Sequence, residues 1–191
     1  MERLLELDRD AFLFLNRLNT PWLDAVMPWI TRTESWTPLF IVLLYFVIRE
    51  FRKDSWAVLL GIALTILFAD QLTSQFMKPF FERLRPSHDP SLDGLVHIVN
   101  GYRGGLYGFA SGHAANTFGV ATFLVSILPR YRWMPWLFLW AGLMTYSRIY
   151  LGVHYPGDIL VGALVGILVA LLTLRITGLL LNRFGQQELR Y

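Results

Sequence analysis

The stretch WAVLLGIALTILFADQLTSQFM, residues 56–77, carries Asp70 as its only ionisable side chain. About 20 predominantly apolar residues are enough for a helix to cross the hydrocarbon of a bilayer, so this stretch predicts a transmembrane helix. Outward from it, residues 112–128, 133–150 and 157 to about 181 have the same character. Residues 36–49 (WTPLFIVLLYFVIR) offer about 14 usable positions where roughly 20 is normal, so that span must borrow flanking residues or tilt in a thin bilayer. Residues 8–30 mix Asp8, Arg9, Asp10, Arg17 and Asp24 with Phe, Leu and Trp, and contain Pro21 and Pro28. They are too polar to span. They read as an amphipathic helix and turn at the membrane interface, with Trp22, Trp29 and Trp36 forming an aromatic belt. The expected fold class is all-α: an integral membrane helical bundle of five transmembrane helices (six is the competing count) with an N-terminal interfacial amphipathic helix.

Composition agrees. Of 191 residues, 54% are hydrophobic and 16% charged, with a mean hydropathy of +0.44, which belongs to membrane chains rather than soluble ones. The length fits one domain, 1–191, with an interfacial segment at 1–32 and polar motifs within 78–158. A net charge of +3, with arginines scattered between apolar runs, excludes a nucleic-acid-binding face, which needs a basic stripe. The lack of cysteine excludes disulfides and thiolate metal sites. The opening MERLLELDRD mixes acids and bases, unlike a secretory signal peptide.

Three polar strings interrupt the apolar runs: KPFFERLRP (78–86), ASGH (110–113) and SRIYLGVHYPGD (147–158). The first follows one span, the second opens the next, and the third joins the last two. One complete hairpin, 112–150, separates the second from the third, so all three must emerge on one membrane face. A chance scatter of polar residues has no such obligation. The basic loops REFRKDS (49–55) and PRYR (129–132), with Arg175, Arg183 and Arg190 of the tail, share the opposite side, which the positive-inside rule makes cytoplasmic. The long connection 87–109 lies on the motif face, where its glycines would let it fold over a site. The plain alternative is a disordered surface loop.

Each string has a structural reading beside the chemical one. In ASGH, Ser111 reads as an N-cap and Gly112 allows close approach of the backbone, so the free N–H groups of a helix start form a phosphate seat. An ordinary capped helix explains the same residues. In YPGD, Pro156 suits the first helical position and Asp158 suits the positive end of the dipole. Against that stands His154, four residues before Asp158, at a spacing where a carboxylate fixes the imidazole tautomer and frees the far nitrogen to attack. Lys78 and Arg85 could simply anchor a helix end, and Arg83 is expected to do so by snorkelling. Arg148 lies in an apolar stretch (LMTYSRIYLG), where an uncompensated guanidinium costs about 2.5–3.5 kcal/mol on insertion scales. A bound phosphate, or Asp158, is its expected partner. Asp70 and Gln71 are expected to face the bundle interior and hydrogen-bond other helices, and His88 and His97 to be solvated.

Together the strings resemble the type 2 phosphatidic acid phosphatase family, which shares its catalytic pattern with vanadium haloperoxidases. Lys78, Arg85 and Pro86 match a Lys, six residues, Arg-Pro element. Ser111, Gly112 and His113 match Pro-Ser-Gly-His, with Ala110 in place of its Pro. Ser147, Arg148, His154 and Asp158 match Ser-Arg, five residues, His, three residues, Asp. The resemblance implies that His154 is the nucleophile forming a phosphohistidine, that Asp158 orients it, and that His113 protonates the leaving oxygen and later activates water. It implies that Lys78, Arg85, Ser111, Gly112 and Arg148 bind the phosphoryl group, with no metal and no cofactor.

The function expected is a membrane phosphatase for a lipid phosphate or diphosphate of the undecaprenyl diphosphate or phosphatidylglycerol phosphate type. The alternatives are a lipid A phosphatase of the same family, a vanadate-dependent haloperoxidase (against which the apolar spans argue) or a non-enzymatic membrane protein. The expected surroundings are a bacterial inner membrane with the site facing the periplasm. The bilayer and the lipid phosphate are the expected partners, and no nucleic acid is. The sequence is silent on oligomeric state.

Overall fold

The computed structural model describes residues 2–184. Eight α-helices follow one another. They are α1 (Glu2–Asn16), α2 (Pro21–Ile30), α3 (Thr37–Phe51), α4 (Ser55–Asp70), α5 (Lys78–Phe81), α6 (Gly112–Ile127), α7 (Trp136–Tyr150) and α8 (Pro156–Phe184). A π-helical segment, Gln71–Met77, joins α4 to α5 without a break in the helical run. Among the described residues there is no strand, only an isolated bridge between Leu84 and Tyr107.

Helix α6 is the central element, packed against α8, α4 and α7. Its residues are small or apolar on nearly every side, and Gly112, Ala114, Ala115, Gly119, Ala121, Phe123 and Leu124 are all buried. A helix apolar all round belongs inside a bundle. Its tightest neighbour is α8, which brings Gly162 and Gly166, one GxxxG step, against it. A Cβ at Gly166 would collide with the carbonyl oxygen of Ala115, and one at Gly162 with that of Ser111. Small residues at this spacing let two helix backbones touch.

The outer faces are apolar too. Along α8, Leu160, Leu164, Leu168, Leu171, Leu172 and Leu179 are all exposed, and α3 and α4 expose Ile41, Leu44, Ile48, Leu60 and Leu67. A continuous exposed leucine stripe suits contact with lipid, not water. Two helical stretches, Thr33–Phe81 and Pro156–Phe184, are long and apolar enough to cross a membrane. The five segments read from the sequence coincide with α3, α4 with its π-helical extension, α6, α7 and α8. Of these, α3 and α7 have 15 residues each, about 22 Å at the α-helical rise.

Three expectations change. The N-terminal segment forms two helices rather than one, because Thr20 caps α2 from an extended conformation and Pro21 takes its first turn. Loop 87–109 is neither structureless nor disordered. It carries short 3₁₀ turns at Pro86–His88 and Pro90–Leu92, buries Leu92 and Val99, and ties Ser87 N–H to the Gly152 carbonyl. His97 is half-buried rather than solvated: its Nε2 lies 2.7 Å from Asp24 Oδ1, which also accepts from the Tyr150 hydroxyl. Arg190 lies outside the described residues.

Candidate active site

The three strings meet at one end of the bundle, where α5 ends, α6 starts, α7 ends and α8 starts. Local chain rules place the first pair. Pro156 opens α8 and Asp158 sits in its first turn. Asp158 Oδ2 accepts from the backbone N–H of Tyr155, the residue before the helix, at 3.0 Å. That is the back-reaching half of a capping box. The same oxygen lies 3.3 Å from His154 Nδ1, with both side chains buried. Gly152, at φ +73, makes the turn that brings His154 out of α7 and up to Asp158. Burial, then the charges of Arg85, Arg148 and Lys78, hold the His154 imidazolium well below its ordinary range. The ring is therefore neutral near neutral pH, with Nδ1 turned to the carboxylate.

The cations around this pair come from two of the strings, Lys78 and Arg85 from the first and Arg148 from the third. Arg85 is buried, and donates through Nε to the Tyr107 carbonyl at 3.1 Å and through Nη1 to the Val153 carbonyl at 3.4 Å. Loop 87–109 lies directly against it. Gly104, at φ +66, would put a Cβ 2.9 Å from Arg85 Nη1, and a Cβ at Gly108 would meet both Asp158 Oδ2 and Arg85. Arg148 donates to Thr31 Oγ1 at 2.8 Å and to the Tyr102 hydroxyl at 3.1 Å, while its Nε is buried with no partner. A buried charged donor without an acceptor calls for an anion. Lys78 Nζ donates to Ser74 Oγ at 3.2 Å, and Ser74 donates to Asp70 Oδ1 at 3.0 Å. The same Ser74, Thr73 and Asp70 oxygens flank Gly112. Ser111 caps α6, its Oγ accepting from Ala114 N–H at 3.4 Å, and its own N–H donates to the Asp158 carbonyl. His113 follows in the first turn. Among the described residues, no three His, Cys, Asp or Glu side chains are gathered to hold a metal ion.

One cation was read differently from sequence. Arg83 does not merely snorkel. It donates through Nη1 to Asp158 Oδ1 at 2.8 Å and through Nη2 to Asp8 Oδ2 at 2.7 Å, with its guanidinium 4.1 Å from the centre of the Tyr155 ring. Asp158 is thus paired with Arg83 and not with Arg148. Asp8 also accepts from Gly157 N–H, fixing α1 to the start of α8. Nothing in the sequence signals this bridge. The Asp70–Ser74–Lys78 column was legible in principle, since its members stand four residues apart.

The sequence profile of the PAP2 superfamily matches residues 56–180, most of the chain. The chain belongs to the PAP2 superfamily. It is a phosphoric ester hydrolase of the lipid phosphatase kind. It is 44% identical to a lipid A 4'-phosphatase of Bacteroides thetaiotaomicron over 170 residues, 87% of this chain and 75% of that protein. With phosphatidylglycerophosphatase B of Bacillus subtilis it shares 32% identity over 163 residues, 79% of this chain and 73% of that one. The crystal structure of Aquifex aeolicus LpxE superposes with a TM-score of 0.66 at 31% identity, covering 88% of this chain and 95% of that one.

Proposed function

We propose that this PAP2 protein removes a phosphate from a lipid A-type substrate, an acylated and phosphorylated amino-sugar lipid, through a phosphohistidine on His154. The buried His154–Asp158 pair among three cations carries the chemical part of this reading. The 44% identity to a lipid A 4'-phosphatase favours the sugar lipid over the undecaprenyl diphosphate or phosphatidylglycerol phosphate expected from chain size. The bilayer is the second partner, and the site faces the periplasm of an inner membrane. Segment 1–32 then lies at the interface, and loop 87–109 roofs the site.

In the first step neutral His154 Nε2 attacks phosphorus while Nδ1–H stays hydrogen-bonded to Asp158, which stabilises the growing imidazolium. The P–N bond forms as the P–O bond to the sugar breaks, and His113 gives its proton to the leaving oxygen. Lys78, Arg85, Arg148, the Ser111 hydroxyl and the Gly112 N–H hold the three phosphoryl oxygens, where charge builds in the transition state. In the second step His113 takes a proton from water, the hydroxide attacks phosphorus, the P–N bond breaks and inorganic phosphate leaves. The protein's own cations fill the role a metal would have, so no metal is required.

Purified protein in detergent with EDTA, given lipid A, polyprenyl diphosphate and phosphatidylglycerol phosphate in parallel, tests both parts. We expect release of one phosphate from lipid A, unaffected by the chelator and blocked by vanadate, which mimics five-coordinate phosphorus. Activity lost on chelation and restored by Mg²⁺ would refute the metal-free mechanism. Preference for either of the other lipids would refute the substrate.

A further inference from the structure

A cavity of about 360 Å³ opens beside His113, among α3, α4, α6 and α7. One face of α6 forms its wall, with His113, Asn116, Val120 and Leu124 following one another at helical spacing. From His113 to Leu124 the helix descends about 16 Å at its usual rise. The opposing walls are apolar, and include Leu43 of α3 and Met144 of α7. Leu44, Leu59 and Ile66 line the cavity and are also exposed on the outside of the bundle, so it opens sideways on the apolar surface of α3 and α4.

Thr33 and Thr117 add hydroxyls to this lining, and Asn116 adds a carboxamide. Its Oδ1 is buried without a partner, and its side-chain amide has no hydrogen bond among the described residues. Buried amides are ordinarily satisfied, so one left open inside a cavity points to a ligand group that completes it. Its position narrows the choice. It stands one turn of α6 from His113, which faces the leaving oxygen, so whatever fills the cavity belongs to the lipid side of the scissile bond.

We propose that this cavity takes one acyl chain of the substrate, and that Asn116 hydrogen-bonds the amide or hydroxyl at the root of that chain, selecting acylated sugar phosphates over lipids with no such group. The inference rests on the lipid A-type reading above. A carboxamide both donates and accepts, and so does the acyl amide or hydroxyl of an acylated amino sugar. A polyprenyl diphosphate brings its inner phosphate and then hydrocarbon to that depth; phosphate oxygens accept but do not donate, so Asn116 Oδ1 would stay open. Sites built to hydrogen-bond a substrate group reject analogues that lack it far better than apolar pockets reject a wrong shape.

The test compares N116L and V120W with the unaltered protein on three substrates: lipid A, a polyprenyl diphosphate and tail-less p-nitrophenyl phosphate. For N116L, the ratio of kcat/KM on lipid A to that on p-nitrophenyl phosphate should fall roughly tenfold, the worth of one hydrogen bond. Its ratio of polyprenyl diphosphate to p-nitrophenyl phosphate should not fall. V120W, which fills the cavity, should raise KM for both long lipids relative to the tail-less ester. The inference is overturned if either variant slows all three substrates equally, which would mark a purely structural role, or if neither changes the lipid A ratio. If the unaltered protein prefers the polyprenyl diphosphate, the lipid A reading fails by itself, and V120W still decides whether the cavity holds a chain.

Discussion

Arg83 binds two carboxylates of different character, Asp158 with no exposure and Asp8 nearer the surface. Replacing it with Gln would leave Asp158 buried and without its strongest counter-charge. Breaking a buried pair costs about 3 kcal/mol or more, so Arg83→Gln should lower the thermal midpoint in detergent and slow turnover, with Arg83→Lys recovering part of both. Equal midpoints for Arg83→Gln and the parent would show that the bridge is idle. The two histidines separate by their intermediates. His154→Ala should abolish turnover and any acid-labile phosphoenzyme, whereas His113→Ala should still trap label, most visibly with a leaving group that needs no proton. Asp158→Asn should cost less than losing His154, at most about 10⁴ in kcat by analogy with other carboxylate–imidazole pairs. Label on the His154 variant but not on the His113 variant would reverse the roles. The protonation of His154 carries its own prediction. Burial and the charges of Arg85, Arg148 and Lys78 depress its pKa well below 6.5. The folded ring should therefore stay neutral as the pH falls past about 6, which nitrogen-resolved NMR of the histidine side chains would read. The unfolded chain takes up that proton and the folded chain does not, so this group's contribution to stability is complete above 6.5 and declines as the pH falls below it.

Among the elements, the α6–α8 contact decides whether the parts of the site stay in register. Ser111 and Asp158 begin those two helices, and the Ser111 N–H bonds the Asp158 carbonyl directly. Gly166→Ala adds one methyl where the Ala115 carbonyl already lies. Overpacking of this kind costs about 1–3 kcal/mol, and here it would also draw the two helix starts apart. We expect a lower thermal midpoint together with a fall in kcat, and an unchanged kcat would mean that the contact is merely structural. The π-helical segment Gln71–Met77 has a comparable position, since it carries Ser74 between Asp70 and Lys78. Departures from α geometry of this kind are frequent at functional sites. The long apolar run 56–77 gave helix, and its length gave a span. No rule of composition distinguishes α from π winding inside such a run, because both satisfy the backbone.

For the whole molecule, the motifs, loop 87–109 and the N-terminal helices all gather at one end, with Asn16 of α1 donating to the Ile149 and Tyr150 carbonyls at the end of α7. Natural cysteines are absent, so single cysteines report the topology cleanly. Leu95→Cys in that loop should be labelled by an impermeant maleimide from the periplasmic side, while Lys53→Cys is protected; the reverse pattern would turn the molecule over. The sequence by itself determined the helical class, the place of five long helices, the common face of the three motifs and the His154–Asp158 pair. Each of these rests on hydrophobic length or on short spacings, which the chain fixes locally. Only the tertiary structure decided that Asp158 pairs with Arg83, that Asp8 completes the bridge, that loop 87–109 folds against Arg85, and that a cavity runs from His113 past Asn116. Arg83 stands 75 residues from each of its carboxylate partners. Over that distance the pairing depends on how helices stack and where a loop returns, and residue spacing carries no record of either.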